Sequence, residues 1–459
     1  MNYSLKISGL NYNLMKAHLF PGDNLEAVAL ALCGRLESES EIIYLVHEVI
    51  TISYDKCEVR TSDKVKWSTE GIIDVLQKAS KRKLSVLKIH SHPTGYTNFS
   101  QTDDISDKEL YSSVFGWMDG SYSHLSAVML PDGEIFGRAV LPDLSFKNLN
   151  KISIIGDDLT IWDTSHNNVP EEFSLRTRQA FGEGTVNKLK TLTVVVAGCS
   201  GTGSPVIEQL VRLGIGRIIL IDPDIVEKKN LNRITNSTME DAIHGVKKVD
   251  VIKRAIDRIG LGTEVISIDS NLYDNVEDLK VIAKADTIFG CVDSIDGRHL
   301  LNNISTFYLI PYFDIGVKLT SDGKGGIDQI MGTIHYIQPG GDSLLSRGVY
   351  TTEELRAASI FRKDPVHYSE QKKLGYIADV RVESPAVVSI NTQLASMAVN
   401  EFLARIHLFR YDDNKQFAIT RISFTDSYVQ HEKDHYSDHY LKKYVGRGDM
   451  EPFLNMPEF

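Results

Sequence analysis

His90 and His92 stand two apart at the end of an apolar run, SVLKIHSH, with Asp103 a short way beyond. The run reads as a strand. Residues i and i+2 of a strand share a face, so both imidazoles can approach one ion. Two imidazoles and a carboxylate leave a fourth position for water, the pattern of a catalytic zinc rather than a closed structural one. Zn2+ lowers the pKa of such a water toward ~7, and the chemistry then needs a carboxylate base. Glu26, in LEAVALALCG, is the candidate, with Glu37, Glu39, Glu41 and Glu48 nearby. Each feature has a plainer reading. A His-x-His pair is common, Glu26 can be a solvated helix residue, and Ser100-Gln-Thr-Asp103 can be a capping box that opens a helix.

A second constellation lies further along. VVVAGCSGTGSPVIEQL reads as strand, Gly-rich turn and helix, with Gly198, Gly201 and Gly203 letting backbone approach a phosphate at the helix N-terminus. Asp222 ends the next strand, at the spacing of a ribose-binding carboxylate in dinucleotide folds. To this point an NAD enzyme and an ATP enzyme fit equally well. Three later segments favour a triphosphate: DPDIVEKKNLNR carries Asp224, Asn230 and Arg233, HGVKK carries Lys247 and Lys248, and GCVDSIDGRHLLN carries Asp293, Arg298 and Asn302. Arg and Lys neutralise phosphate oxygens, and a strand-end Asp can hold Mg2+. Taken singly, Lys248 can be a solvated helix residue with Lys247 as the fallback, and Arg298 and Asn302 can brace the fold. Asp293 ends an apolar strand, where an unpaired carboxylate is costly to bury.

The elements that must position these groups emerge from pattern. TLTVVVAG, RIILID, TEVISID and ADTIFGCVD read as strands, with helices over SPVIEQLVRLG and Lys247–Gly260 between them. Such alternation predicts a mostly parallel sheet with crossover helices. The first 145 residues read as a separate α/β domain, mixing strands (EIIYLVHEVITI, KLSVLKIHSH, SHLSAVML) with helices (LEAVALALCG, TEGIIDVLQKAS). Ser145–Pro170 and the stretch after Phe424 read as transitions. The expected division is 1–145, a linker at 146–175, a nucleotide domain at 176–425 and a tail at 426–459.

Composition narrows the function classes. The 459 residues carry 50 Lys and Arg against 61 Asp and Glu, a net charge of −11, which argues against a broad duplex-DNA binder. Four cysteines make no disulfide framework and suit a reducing compartment. The opening MNYSLKISGL does not read as a secretory signal, and no apolar run reaches the roughly 18 residues of a membrane span. A cytoplasmic protein with no nucleic-acid or membrane partner is expected.

The N-terminal residues resemble the JAMM (MPN-plus, or JAB) metalloprotease motif: an upstream Glu, His-x-His-Pro, six residues, Ser, two residues, Asp. Here these are Glu26, His90-Ser91-His92-Pro93, Ser100 and Asp103. The resemblance implies that His90, His92 and Asp103 bind zinc, that Glu26 is the base, and that Ser100 donates to the oxyanion. It also implies cleavage after the C-terminal Gly of ubiquitin-like proteins. AVALALCG matches the small, apolar, Cys-Gly-containing stretch that follows the family's Glu.

Residues from about Arg176 to about Ile406 resemble the ThiF/MoeB/HesA-type adenylyltransferases, including RTRQAFGEGTVNKL and ESPAVVSINTQLASMAVNEFLARI. That resemblance implies a Rossmann-like ATP-binding domain in which Asp222 binds the ribose, and Asn230, Arg233 and Lys248 the phosphates. Asp293 would bind Mg2+, and Arg178 would reach the triphosphate of the other subunit of a homodimer. The implied reaction is attack of a C-terminal carboxylate on the α-phosphorus of ATP, catalysed by positioning and charge neutralisation.

Two departures matter. Many relatives carry Cys-x-x-Cys pairs for a structural zinc, where this chain reads GGDSLLSRG. No Cys comes after Cys291, which argues against a thioester on this chain; an oxyester through Ser343 or Ser346 is the weaker chemical option. The expected protein is a bifunctional enzyme acting on a ubiquitin-like or small carrier protein with a free C-terminus, with a separate conjugating enzyme as a further partner. Its rivals are a peptide-adenylating or sulfur-carrier biosynthetic enzyme, a non-enzymatic nucleotide-binding scaffold and, most distantly, a dehydrogenase.

Overall fold

The computed structural model describes all residues except 70–71, 119–121, 165–170, 323, 325, 378–386 and 458–459. Thus Glu70 and Gly71 of the expected helix TEGIIDVLQKAS, part of the expected linker, and Glu383–Ala386 of the ESPAVVSINTQ motif lie outside the described residues. The chain divides into two compact units. One comprises Met1–Ser165, Phe307–Leu309 and Tyr444–Glu458, and the other His166–Thr306 and Ile310–Lys443.

The first unit contains β1 (Asn2–Ser8), α1 (Gly9–Leu19), β2 (Val28–Glu37), β3 (Glu41–Thr51), β4 (Cys57–Arg60), β5 (Val65–Trp67), α2 (Ile72–Arg82), β6 (Ser85–Ser91), α3 (Gln101–Trp117), β7 (His124–Met129), β8 (Ile135–Val140), β9 (Phe146–Asn148), β10 (Lys151–Ile155) and β11 (Leu159–Asp163). Nine of these strands form one sheet in the order β11-β10-β1-β3-β2-β6-β7-β8-β9, with β6 inside it. Of LEAVALALCG, expected as a helix, the part from Val28 onward is strand β2. It pairs antiparallel with both β3 and β6 and is buried on both faces. Ala27, Ala29, Ala31 and Cys33 enter one core cluster, and Leu32 enters the other with Leu76, Val86 and Tyr111. An apolar run covered on both sides lacks the polar alternation that marks a half-buried strand, which is why it passes for a helix.

Ser145–Pro170, expected as a transition, carries β9, β10 and β11; β10 pairs in parallel with β1, so these residues complete the first sheet. The final segment of the chain also belongs to this unit. Gly448 bridges Arg35, the Asp449 N–H donates to the Arg35 carbonyl at 2.8 Å, and His47 Nδ1 donates to the Val445 carbonyl at 2.7 Å.

The second unit contains α4 (Leu175–Thr191), β12 (Thr193–Ala197), α5 (Gly203–Leu213), β13 (Arg217–Ile221), α6 (Met239–His244), α7 (Lys248–Ile259), β14 (Glu264–Ile268), α8 (Val276–Ala283), β15 (Thr287–Gly290), most of α9 (Ile295–Tyr308), β16 (Tyr312–Ser321), β17 (Ile327–Ile337), α10 (Thr352–Lys363), α11 (Pro365–Lys373), α12 (Val388–Ile406), β18 (Ile419–Ser423) and β19 (Tyr428–Glu432). The sheet order is β14-β13-β12-β15-β16-β17-β18-β19. The run from β14 to β16 is parallel, as the strand–helix alternation predicts, and the remainder is antiparallel. The stretch expected to begin a tail at 426 instead supplies the edge strand β19. Just beyond it, the His435 and Ser437 N–H groups donate to Asp342 at 2.8 and 2.6 Å.

Candidate functional site

The first unit brings His90, His92 and Asp103 together. Strand β6 carries His90, and His92 directly follows its last residue, Ser91, while α3 has Asp103 in its first turn. His90 Nε2 lies 3.1 Å from His92 Nε2 and 3.0 Å from Asp103 Oδ1, and His92 Nε2 lies 3.7 Å from Asp103 Oδ2. His92 Nδ1 donates to the Tyr96 carbonyl at 2.7 Å, which leaves the Nε2 lone pair facing His90 and Asp103. Among the described residues this is a group of ligand atoms within 4.8 Å of one another. Facing imidazole nitrogens with a carboxylate between them form a donor set that fits a divalent cation.

Ser100 caps α3. Its hydroxyl donates to Asp103 Oδ2 at 2.7 Å and accepts from the Asp103 N–H at 3.1 Å, while its own N–H also donates to Oδ2. The capping box is therefore present, and the single Ser100 proton is turned toward Asp103 rather than toward open space. Asp103 would be raised by its burial, but the nearby His90 and His92 rings and the hydrogen bond from Ser100 outweigh that and hold it well below the usual carboxylate range.

Glu26 lies just ahead of β2, two residues before Val28, which pairs with His90. Its side chain is buried, and burial raises its carboxyl to about 7, with His92 and Asp103 setting the nearby field. The neighbouring glutamates are engaged elsewhere: Glu37 with Arg35, Glu41 with Ser4, and Glu48 with Lys78. Glu39 is exposed.

In the second unit the Gly-rich turn leads from β12 into α5. Gly198 has φ +92°, and a Cβ there would meet the Cys291 carbonyl oxygen at 2.5 Å. The Cys199 N–H donates to Asp222 Oδ2 at 2.7 Å and the Asp224 N–H to Asp222 Oδ1 at 3.0 Å, which ties the turn to the end of β13. Burial raises the Asp222 carboxyl and Lys248 opposes that. Lys248 opens α7 and is 6 % exposed, so it is no solvated helix residue; its Nζ lies 2.6 Å from Asp224 Oδ2 and 3.5 Å from Asp222 Oδ1. Lys247 Nζ donates instead to the Pro223 carbonyl at 3.0 Å.

Arg233 packs over the turn: a Cβ on Gly201 would lie 3.0 Å from its Cδ. The same Cβ would collide with Nδ2 of Asn391, a buried α12 residue that the sequence reading does not single out. Asn230 Oδ1 accepts the Glu227 N–H at 3.0 Å in a capping box. Asp293 comes after β15 and is exposed, so the burial argument made for it from sequence does not apply. Arg298 instead pairs with the buried Asp314 at 3.2 Å. Arg178, on α4, donates to the Glu171 carbonyl at 3.5 Å, and its Nε has no hydrogen-bond partner among the described residues. The free thiols of Cys33, Cys199 and Cys291 are pushed far up by burial, which disfavours a nucleophilic thiolate at any of them. Ser343 and Ser346 bond to one another within a loop that Asp342 anchors.

The model of the ThiF family matches residues 174–435, more than half of the chain. The chain belongs to the ThiF family. Curated relatives of this ThiF-family chain include ubiquitin-like modifier-activating enzyme 5 of Drosophila willistoni, 29 % identical over 33 % of this chain and 38 % of the relative. SAMP-activating enzyme E1 of Haloferax volcanii is 28 % identical over 27 % and 45 %, respectively. Adenylyltransferase and sulfurtransferase MOCS3 of Xenopus laevis is 33 % identical over 25 % of each. The chain spans less than half of the length of each of these relatives. Among solved structures, E. coli MccB with ATP aligns over 60 % of this chain and 74 % of that one at 21 % identity, with a TM-score of 0.42. No helix among the described residues is long and apolar enough to cross a membrane.

Proposed function

We propose that the ThiF-family part of this chain adenylates the C-terminal carboxylate of a ubiquitin-like or sulfur-carrier protein, using ATP and Mg2+. The observation that carries this reading is the buried Lys248, placed against Asp222 and Asp224 beside a turn whose Gly198, Gly201 and Gly203 carry no side chain of their own. In this reading Asp222 receives the ribose hydroxyls, and Lys248, Arg233 and Asn230 meet the phosphates. The exposed Asp293 would hold Mg2+, whose charge offsets that of the triphosphate. The substrate carboxylate attacks the α-phosphorus, the bond to the β-phosphate bridging oxygen breaks, and pyrophosphate leaves, giving an acyl adenylate. The protein's part is to align these groups and neutralise charge. Arg178, whose Nε lacks a partner among the described residues, would serve the nucleotide of a second copy in a homodimer.

A second activity has its own supporting observation, the convergence of His90, His92 and Asp103. These residues would hold Zn2+, which supplies a polarised water near neutral pH. Glu26, with its carboxyl raised to about 7, is suited to take and return a proton in peptide or isopeptide cleavage after a carrier's C-terminal Gly. A separate conjugating enzyme would take the activated carrier onward, and a cytoplasmic setting suits all these partners.

ATP–pyrophosphate exchange in the presence of small proteins ending in Gly-Gly tests the first activity, and release of a C-terminal extension from the same proteins tests the second. Exchange supported by short peptides but not by such proteins would favour a peptide-adenylating enzyme instead.

A further inference from the structure

Behind the His pair lies a buried ion network with no part in either proposed reaction. Lys88 is two residues before His90 on β6, so the two side chains share a face. In register across the next two strands stand Ser126 on β7 and Arg138 on β8. Asp107, one helical turn after Asp103 on α3, meets this row. Lys88 Nζ lies 2.7 Å from Asp107 Oδ1, and an Arg138 guanidinium nitrogen 2.7 Å from Asp107 Oδ2. Lys88, Asp107 and Arg138 are 4, 0 and 5 % exposed.

One further turn along α3, the Tyr111 hydroxyl accepts the Lys88 N–H at 3.1 Å and donates to the Leu125 carbonyl. Strand and helix thus meet in successive rungs: His90 with Asp103, Lys88 with Asp107, and the Lys88 backbone with Tyr111. Arg138 adds a bond to Asp104 and stacks between Phe99 and Phe146, its guanidinium carbon 3.8 and 3.7 Å from the ring centroids. Phe99 directly precedes Ser100, so Arg138 grips both the helix and the loop that leads into it.

A sheet row facing a helix is most cheaply filled with apolar side chains. Two cations and a carboxylate buried there repay little in stability, because desolvation cancels most of the attraction. What they add is a fixed phase and height for α3 relative to β6, which together with the Ser100 cap aims Asp103 at the imidazoles. We infer that Lys88, Asp107 and Arg138 are positioning residues that hold the Asp103 carboxylate against His90 and His92 and thereby set the affinity of this centre for a divalent cation. The inference rests on the metal-centre reading of the same site.

The test is titration of the chelator-stripped full chain with Zn2+, and with Co2+ to read the ligand-field spectrum. The wild type is compared with Lys88→Met, which leaves Asp107 paired to Arg138, and with the triple replacement Lys88→Met, Asp107→Leu, Arg138→Met. The triple replacement is expected to keep the unfolding midpoint of the metal-free protein, because packed apolar residues can replace a buried ion network without loss. Both variants are expected to bind Zn2+ about 10–100-fold more weakly and to give an altered Co2+ spectrum, as supporting residues of metal centres do. Wild-type Zn2+ affinity and Co2+ spectrum in either folded variant would overturn the positioning role alone. A wild-type chain that takes up neither ion would overturn the metal-centre reading and this inference with it.

Discussion

Gly203 lies so close to Gly198 that a Cβ built on it would overlap the Gly198 carbonyl oxygen. No side chain fits there, so the turn that opens α5 closes only with glycine. Gly203→Ala is expected to destabilise the second unit by about 1–3 kcal/mol or more, as overpacking does, and to abolish ATP binding. Gly184→Ala is the control. A Cβ on Gly184, in α4, meets nothing within 4 Å, and that variant should be neutral or stabilised by up to ~1 kcal/mol. Denaturant unfolding and calorimetric ATP titration read both. Normal ATP affinity in Gly203→Ala would mean that the nucleotide does not approach this turn.

Lys248 is the cation that faces both Asp222 and Asp224. Lys248→Met leaves those carboxylates without it and removes the proposed donor to phosphate. Exchange of pyrophosphate into ATP is expected to fall about 10²–10³-fold, the usual consequence of losing one donor to developing charge. Lys247→Met, which removes only a bond to the Pro223 carbonyl, should change it little. Equal effects of the two substitutions would place the phosphates elsewhere.

The two constellations belong to separate compact units, so the two proposed activities should separate by mutation. Asp293→Ala is expected to stop adenylation and spare cleavage, and His90→Ala to do the reverse. Folding is monitored by circular dichroism. If either single change abolished both activities in a folded protein, the two-site account would be wrong.

How legible these features are in sequence depends on whether the signal is local. The His-x-His pair, the Gly-rich turn and Asp222 each announce themselves within a strand and the loop after it, and the parallel strands of the second sheet are evident from their apolar runs. Strand β2 is not, because both faces are covered. Its remaining clue is the alternation of small and large side chains in Ala27-Val28-Ala29-Leu30-Ala31-Leu32-Cys33, which a helix would not need. Asn391 is invisible for another reason: it reaches the Gly201 turn from a helix nearly two hundred residues later, and no spacing rule connects the two. The strands at 146–163 are short and broken by Asn, Gly and Asp, so only their pairing reveals them: β10 with the first strand of the chain, β11 with β10, and β9 with β8.

His124 in β7 gives the fold a pH dependence. Its ring is buried among Tyr111, Phe115 and Tyr122, and its Nδ1 accepts the Val86 N–H at 3.1 Å. Burial, aided by Arg35, pushes its pKa down to about 3 from an ordinary 6.5. The neutral imidazole therefore contributes stability that is fully present above pH 6.5 and is lost as the pH falls toward 3. The slope attributable to one such group is at most about 1.4 kcal/mol per pH unit. His124→Gln retains an acceptor but does not titrate, so its unfolding midpoint should fall less steeply between about pH 6 and 4. Parallel curves for wild type and variant would show that His124 does not titrate between the folded and unfolded states.

The most direct measurement is ATP–pyrophosphate exchange by the purified chain, with small carrier proteins ending in Gly-Gly supplied singly and Asp293→Ala as control. Exchange that depends on one carrier, is lost when its C-terminal Gly is removed, and is absent in Asp293→Ala is the predicted result. Bound ATP without exchange, across every carrier offered, would contradict the adenylyltransferase account.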